Sequence, residues 1–275
     1  MTASGGEKFK RIQAQGWSDR AGTYGDLLGA MTARVAEPLL DAAGVHSGMR
    51  VLDVATGPGY AAERAATRGA EVIGIDIAEG MLELARRRQP ELEFRHGDAE
   101  ELPFEDASFD VVVGGFIISH LPNPERAVAE AVRVLRPHGS AAFSLWDRPE
   151  RNRMNGVFSD AIADAGVDAD AAEGVAGPDS YRFCDDASFE SLLTDAGLVE
   201  VAVETIALTL TAPDADAVWN GLLGSTVRIR NIFDAQPADA QAQIREAFDH
   251  RVEAHRHPDG IELPAVAKLA SGRLR

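Results

Sequence analysis

The sequence predicts an α/β protein in which a mostly parallel sheet is covered by helices on both faces. Short apolar runs alternate with helical patterns from Arg50 to Trp146, which is typical of repeated β-α units. The first run ends at Ala55 and leads into a turn that contains Gly57 and Gly59. Glycine lets the backbone of such a turn approach a ligand, and the helix that follows presents free N–H groups to it. These two observations indicate a Rossmann-like architecture.

The strands and helices of this region follow from the same alternation. The fourth apolar run is almost free of polar residues, which favours a central strand covered on both faces. Asn123, Pro124 and Glu125 form a helix start, and Pro137 with Gly139 ends the apolar stripe that follows. The predicted strands are 51–55, 71–76, 92–96, 110–119 and 140–146, and the other predicted helices are 58–68 and 78–89.

The flanking segments are mainly helical. Apolar residues at helical spacing predict one amphipathic helix over 26–43, and the Ala-, Asp- and Gly-rich segment 152–180 predicts a helical insertion. We expect further helices at 188–197 and within 214–256. Alternating patterns predict strands at 199–210 and 261–269.

Composition excludes several classes of function. The chain of 275 residues has a net charge of −17, which disfavours nucleic acid and anionic lipid as partners. Cys184 is the only cysteine, so we expect no disulfide framework and no metal site. No apolar stretch approaches the roughly 18 residues of a membrane span. We therefore expect a soluble cytoplasmic protein, for which a homodimer stays open.

Glycines and carboxylates stand at the ends of consecutive predicted strands, where open parallel sheets bind ligands. Asp76 follows Gly57 by about 19 residues, the spacing at which a carboxylate meets the hydroxyls of a ribose. Asp98 lies one strand further, where its oxygens could accept from an exocyclic amine. Ile77 and Met81 could flank the base of a bound nucleotide. Taken singly, each residue also fits a turn, a helix cap or the core.

The glycine turn does not match the two commonest phosphate motifs. Ala62 stands where a dinucleotide-binding enzyme would have its third glycine, and no G-x-x-x-x-G-K-[ST] segment occurs. An NAD-dependent dehydrogenase is therefore disfavoured, although it stays an alternative.

Five motifs in order carry a resemblance to a known family. They are Val51-Leu52-Asp53-Val54-Ala55-Thr56-Gly57-Pro58-Gly59, Gly74-Ile75-Asp76-Ile77-Ala78-Glu79-Gly80-Met81-Leu82, Gly97-Asp98-Ala99-Glu100-Glu101-Leu102-Pro103-Phe104, Phe109-Asp110-Val111-Val112 and Arg133-Val134-Leu135-Arg136-Pro137. Over residues 17–146 the chain resembles class I S-adenosylmethionine-dependent methyltransferases of the small-molecule group, similar to those of ubiquinone and menaquinone biosynthesis. One departure is His138-Gly139, where the family usually has two glycines.

The resemblance implies S-adenosylmethionine as the cofactor. Gly57 and Gly59 would line its methionine and ribose, Asp76 would hold the ribose, and Asp98 with Ala99 would read the adenine. It also implies a seven-stranded sheet whose last strand is antiparallel, in agreement with segment 261–269. The full predicted cofactor set is Tyr24, Asp53, Ala55, Thr56, Gly57, Gly59, Asp76, Ile77, Met81, Gly97, Asp98, Ala99, Glu100, Gly115 and Phe116.

The expected organisation is a single domain over 1–275. It divides into an N-terminal helical lid at 8–45, a cofactor-binding core at 46–150 and acceptor-side cap insertions at 151–182 and 214–256. Trp17 and Tyr24 would close over the methionine end, or merely pack against the first helix.

His120 is the predicted catalytic residue, because a neutral imidazole beyond the fourth strand could accept a proton from the methyl acceptor. Alternatively, His120 has no catalytic role and supports the turn at Pro122. Arg228 and Arg230 could hold an acidic acceptor or form surface salt bridges.

We expect methyl transfer to a small-molecule acceptor, with an oxygen of a secondary metabolite as first choice. Alternatives are carbon or nitrogen methylation of a quinone, terpenoid or amino-acid-derived substrate. A cofactor-binding cyclase or regulatory scaffold on the same fold is a further alternative.

Overall fold

The computed structural model describes residues 3–168 and 179–275, and its centre is one mixed sheet. Within the described residues, seven strands of 4 to 14 residues and one two-residue strand form this sheet. They are β1 (Arg50–Val54), β2 (Glu71–Asp76), β3 (Glu93–His96), β4 (Phe109–Gly114), β5 (Leu135–Trp146), β6 (Val199–Ala212), β7 (Arg256–His257) and β8 (Gly260–Arg273).

Helices precede the sheet, cover it and extend beyond it. They are α1 (Ala3–Arg20), α2 (Leu28–Ala33), α3 (Ala36–Ala42), α4 (Tyr60–Thr67), α5 (Glu79–Arg88), α6 (Pro124–Val134), α7 (Arg153–Asp164), α8 (Asp186–Asp195), α9 (Ala215–Ser225), α10 (Val227–Asp234) and α11 (Ala238–Glu253).

The order of the strands is β3-β2-β1-β4-β5-β8-β6, and β7 pairs only with β8. The pairs among β1 to β5 are parallel, whereas β8 runs antiparallel to both of its neighbours β5 and β6. The strand order reverses between β1 and β4, so the carboxyl ends of these two strands flank a natural crevice. The predicted sheet, with its antiparallel last strand, is confirmed.

Apolar side chains bury both faces of the sheet. Val128 and Leu193, from α6 and α8, belong to the cluster on one face, and Leu40 and Leu82, from α3 and α5, belong to the cluster on the other. A third cluster joins α7, α9 and α11 around Phe158, beyond the parallel part of the sheet. The strands are thereby held rigidly, which fixes the loops at their carboxyl ends.

Two predicted elements differ from the structure. The strand predicted over 110–119 ends at Gly114, because Phe116 has a left-handed backbone with φ of 60° and the chain turns away from the sheet. The single helix predicted over 26–43 is broken into α2 and α3. Pro38 lacks an N–H group and cannot bond the carbonyl of Arg34, so it lies in the first turn of a new helix instead.

The remaining elements agree with the sequence-based predictions to within a few residues, apart from α6, which ends at Val134 because Leu135 already begins β5. Residues 169–178 of the insertion predicted over 152–180 lie outside the described residues. Within the part that is described, no helix combines the length and apolar character that a membrane span requires.

Candidate active site

A cavity of about 440 Å³ opens beyond the carboxyl ends of the parallel strands. Its volume lies within the roughly 300–1,000 Å³ that is usual for ligand pockets. Most of the predicted site residues line it, although they come from the ends of four strands and from three helical segments. These residues are Tyr24, Ala55, Gly57, Asp76, Ile77, Met81, Gly97, Asp98, Ala99, Gly115, Phe116 and His120.

Asp76 ends β2, and the backbone orients its carboxylate. One oxygen accepts from the Gly57 N–H at 2.9 Å and the other from the Ala78 N–H at 2.9 Å. Burial raises the pKa of the carboxyl group, and these backbone hydrogen bonds oppose that rise. Each carboxylate oxygen has a second lone-pair site, so Asp76 can still accept from a pair of hydroxyl groups.

Asp53 lies behind the glycine turn and stabilises it. Its carboxylate accepts from the Thr56 hydroxyl at 2.7 Å and from the Ala62 N–H at 3.1 Å. Burial raises the pKa of Asp53 to about 7, because the group is enclosed by the turn and by β1. Asp53 and Thr56 line a smaller cavity, which shares Ala55, Gly57 and Phe116 with the large one.

Asp98 and Glu100 share an ammonium group from the N-terminal helix. The Lys10 Nζ atom lies 2.6 Å from Asp98 and 2.9 Å from Glu100. Burial lowers the pKa of Lys10, but the hydrogen bonds to the two carboxylates outweigh it and the pKa is raised overall. Glu100 also accepts from the backbone and the side chain of Asn123. The ion pair thus fastens α1 to the end of β3.

Phe116 adopts a left-handed backbone that bulky residues rarely tolerate. Its N–H group donates to the hydroxyl of the fully buried Ser144 at 3.1 Å, which holds the turn in place. The ring stacks on Trp146 with centroids 4.3 Å apart, and both rings line the cavity. Strained backbone of this kind clusters at functional sites.

His120 lies in a short 3₁₀ turn after β4 and lines the cavity. Desolvation lowers the pKa of the imidazole to about 4, so the ring is neutral at pH 7. Trp17 packs edge-on against His120 with centroids 5.2 Å apart, and Tyr24 packs edge-on against Trp17 at 5.9 Å. This aromatic group links the first helix to the end of β4.

Four predicted residues do not line the large cavity. Asp53 and Thr56 face the smaller one, and Glu100 is engaged with Lys10 and Asn123. Gly59 begins α4 in a left-handed conformation, and a Cβ added there would lie 3.0 Å from the ring of Phe94. Their placement favours a supporting role for these four residues, and direct cofactor contact by them stays a prediction.

Sequence reasoning missed part of the lining. Lys10 and Gln13 come from α1, and Tyr181 and Thr226 come from the segments beyond the sheet. No local motif marks these positions, because they reach the cavity only through the docking of distant helices. In the described part of the chain, no group of three His, Cys, Asp or Glu side chains is arranged to hold a metal ion.

Comparison with known proteins agrees with this geometry. The family model described as "Methyltransferase domain" matches residues 52–143, about a third of the chain. A demethylmenaquinone methyltransferase of Renibacterium salmoninarum is 35% identical over 152 residues, which is 55% of this chain and 64% of that protein. A demethylmenaquinone methyltransferase of Paenarthrobacter aurescens is 30% identical over 183 residues, or 64% of this chain and 72% of that protein.

Solved structures share the fold. The YcgJ protein of Bacillus subtilis superposes with a TM-score of 0.59 at 21% identity, covering 88% of this chain and 98% of that one. At this identity the likeness concerns the architecture alone. The alignments to the two curated relatives span about two thirds to three quarters of their lengths.

Proposed function

Because the chain belongs to the class I S-adenosylmethionine-dependent methyltransferases, we propose that it transfers the methyl group of this cofactor to an oxygen of a small aromatic molecule, a secondary metabolite. The observation that carries this proposal is the buried carboxylate of Asp76, held by two backbone N–H groups beside the glycine turn in a cavity of about 440 Å³.

The residues of the cavity fit the cofactor. Asp76 offers two oriented acceptor oxygens for the hydroxyls of a ribose. Asp98 is 30% exposed beside Gly97 and Ala99, where an exocyclic amine could meet its carboxylate. Ile77 and Met81 supply apolar surface for the base between these two carboxylates. We assign the binding of ribose and adenine to these residues.

When bound, the cofactor would supply an activated methyl group, because displacement at its sulfonium releases a neutral thioether. The protein must therefore align the acceptor in line with the breaking bond and exclude water. Trp17 packs against His120, and Tyr24 and Phe116 line the same cavity, so their apolar surface would exclude water from a bound acceptor.

His120 acts as a neutral polar group in this proposal. With a pKa of about 4 it carries no charge at pH 7, so it does not repel the sulfonium. The same low pKa makes it a weak base. We therefore expect His120 to orient the acceptor hydroxyl by a hydrogen bond and to receive its proton only as the methyl group is transferred.

The cap insertions at 151–182 and 214–256 would hold the acceptor, and residues 8–45 would serve as the lid. Phe158 and Ile162 from α7 and Ile229 and Ile232 from α10 contribute apolar surface to the same cavity. This lining supports an apolar acceptor. The relatives' names, demethylmenaquinone methyltransferases, support an acceptor with a fused aromatic ring.

Incubation with S-adenosylmethionine carrying a ¹³C-labelled methyl group tests the proposal. The panel comprises hydroxylated naphthalenes, demethylmenaquinone, terpenoids and amino acids, and the ¹³C chemical shift of the product distinguishes oxygen, carbon and nitrogen methylation. We expect an O-methyl product from a hydroxynaphthalene. If only carbon methylation is observed, the oxygen acceptor in this proposal is replaced by a carbon acceptor. Cofactor binding without transfer to any member would favour the cyclase or regulatory scaffold.

A further inference from the structure

We propose that Gln13 determines the specificity for the methyl acceptor, because its side-chain amide donates a hydrogen bond to a carbonyl oxygen of that molecule. The acceptor class is then a hydroxylated aromatic ketone, whose hydroxyl lies at His120 and whose carbonyl lies at Gln13. The inference rests on the proposed function, since it names a specificity residue and a substrate class for the same cavity.

Gln13 lies on the face of α1 that lines the cavity. Lys10, Gln13 and Trp17 are spaced three and four positions apart, so they share one side of the helix, and all three line the cavity. Lys10 fastens one end of this row to Asp98, and the Trp17 ring packs against His120 at the other end. At a rise of about 1.5 Å per residue, Gln13 lies about 4.5 Å along the helix axis from Lys10 and about 6 Å from Trp17. Its side chain is therefore placed between Asp98 and His120.

The Trp17 indole fixes the direction of the Gln13 amide. The indole N–H can only donate, so the atom that it meets at 3.1 Å is the amide oxygen Oε1 and not the nitrogen. The amide nitrogen Nε2 must therefore lie away from the indole nitrogen. Gln13 thus presents two N–H donors in a defined direction.

The amide nitrogen of Gln13 donates to no group among the described residues. The whole residue is only 8% exposed, yet Nε2 is not one of the fully enclosed polar atoms that lack a partner in the described chain, so it retains open surface. The cavity is the open space that Gln13 lines. Removing an amide from water is unfavourable unless its donors are paired, so we infer that a ligand in the cavity supplies the acceptor atom.

A carbonyl oxygen matches this amide nitrogen. It offers two lone pairs and brings no proton of its own, whereas a hydroxyl also brings a proton that needs an acceptor. The nearby acceptors on this side of the cavity are engaged, because the Gln13 oxygen accepts from Trp17 and Asp98 is paired with Lys10. Gln13 therefore favours an acceptor molecule that carries a carbonyl group.

The position of Gln13 favours the methyl acceptor over the cofactor as the molecule that carries this carbonyl. The ribose hydroxyls and the adenine amine, assigned above to Asp76 and Asp98, are donors and do not need the Gln13 N–H groups. Trp17 contacts both the Gln13 amide and the His120 ring. A molecule whose hydroxyl meets His120 can therefore lie along the indole and reach Gln13 with its other end.

Calorimetric titration with matched ketones tests this inference. The probes are 5-hydroxy-1-tetralone, 6-hydroxy-1-tetralone and 7-hydroxy-1-tetralone, and each is compared with the hydroxytetralin that lacks only the carbonyl oxygen, in the presence of S-adenosylhomocysteine. We expect at least one ketone to bind the wild-type protein roughly three- to tenfold more tightly than its hydroxytetralin, as one neutral hydrogen bond allows. Gln13→Met, which cannot donate, should remove this preference and leave the affinity for the hydroxytetralins unchanged.

Gln15 provides the matched control. It is the same type of residue on the same helix, is exposed and donates to Asp19 at 2.6 Å, so Gln15→Met should keep the preference of the wild type. Both variants should bind S-adenosylhomocysteine as the wild type does, and the melting temperature of each verifies that it is folded. A merely structural role of Gln13 would weaken the ketones and the hydroxytetralins equally.

Equal affinity of the wild type for every ketone and its hydroxytetralin, binding of no ketone, or a preference that survives Gln13→Met would each overturn the inference. Weaker binding of S-adenosylhomocysteine in Gln13→Met would also overturn it, because the amide would then belong to the cofactor site. Failure of the proposed function has a different signature, which is absence of S-adenosylhomocysteine binding by the wild type and of methyl transfer to every acceptor in the panel.

Discussion

Asp53 shows how one buried carboxyl group supports the cofactor turn at a cost in stability. It accepts from the Thr56 hydroxyl and the Ala62 N–H, and burial raises its pKa to about 7. The unfolded chain has an aspartate pKa of about 4. Between these two values the folded protein holds a proton that the unfolded chain releases. The stabilising contribution of Asp53 is therefore complete below pH 4 and is lost as the pH rises through about 7.

Asp53→Asn should flatten this dependence, because the amide cannot ionise. Relative to the wild type, we expect the variant's free energy of unfolding to rise by on the order of 2 kcal/mol between pH 5 and pH 8. Urea denaturation of both proteins at the two pH values measures the difference. If the difference is the same at both values, Asp53 does not titrate in this range.

The proposed role of His120 leads to a prediction about the methyl-transfer step. His120→Ala should lower turnover by about 10- to 100-fold and leave the affinity for S-adenosylmethionine near that of the wild type. Because its pKa is about 4, His120 should add no inflection near pH 6.5 to the wild-type rate profile. Unchanged turnover in His120→Ala would remove the residue from the mechanism, and His120 would then only support the turn before Pro122.

At the scale of elements, α1 closes the cavity only because α5 lets it approach. A Cβ at Gly80 would lie 2.6 Å from the Ser18 carbonyl oxygen, and the Gly80 N–H donates to the Ser18 hydroxyl at 3.2 Å. The pair from Lys10 to Asp98 and Glu100 fastens the same helix further along. Both contacts hold residues of α1 in the wall of the cavity, at the end that carries Asp76 and Asp98.

Gly80→Ala should therefore displace α1. Alanine ordinarily stabilises a helix relative to glycine by up to about 1 kcal/mol. If Gly80→Ala destabilises the protein, the cause would therefore be the lost contact with Ser18. We expect several-fold weaker binding of S-adenosylhomocysteine and faster proteolysis within α1. Gly22→Ala is the control, since a Cβ there meets nothing within 4 Å. Equal behaviour of the two variants would contradict this role of the Gly80 contact.

The strands could be predicted because their apolar runs are local signals, but two features of the site could not. Phe116 follows an apolar run that continues to Ile118, so nothing nearby marks the left-handed turn, which depends on Ser144 in the next strand. Lys10 reaches Asp98 across 88 positions of sequence, and only the docking of α1 brings them together. The break between α2 and α3 did have a local signal, the proline at position 38.

At the scale of the whole molecule, strand ends and segments beyond the sheet line one cavity together. Asp76 and Asp98 come from the ends of β2 and β3, and Tyr181 and Arg228 come from segments that follow the parallel strands. Sequence reasoning found the two carboxylates through their motifs and named Arg228 as a candidate acceptor residue, whereas no motif marks Tyr181. The low affinity for nucleic acid expected from a net charge of −17 stays a prediction, as do the cytoplasmic location and the homodimer.

Calorimetric titration with S-adenosylhomocysteine tests the central claim most directly, with NADH as the competing ligand and Asp76→Ala as the variant. We predict one binding site for S-adenosylhomocysteine, no binding of NADH, and at least tenfold weaker binding in the variant because two ribose hydrogen bonds are lost. Binding of NADH without a response to S-adenosylhomocysteine would contradict the account, and so would affinity for S-adenosylhomocysteine that Asp76→Ala leaves unchanged.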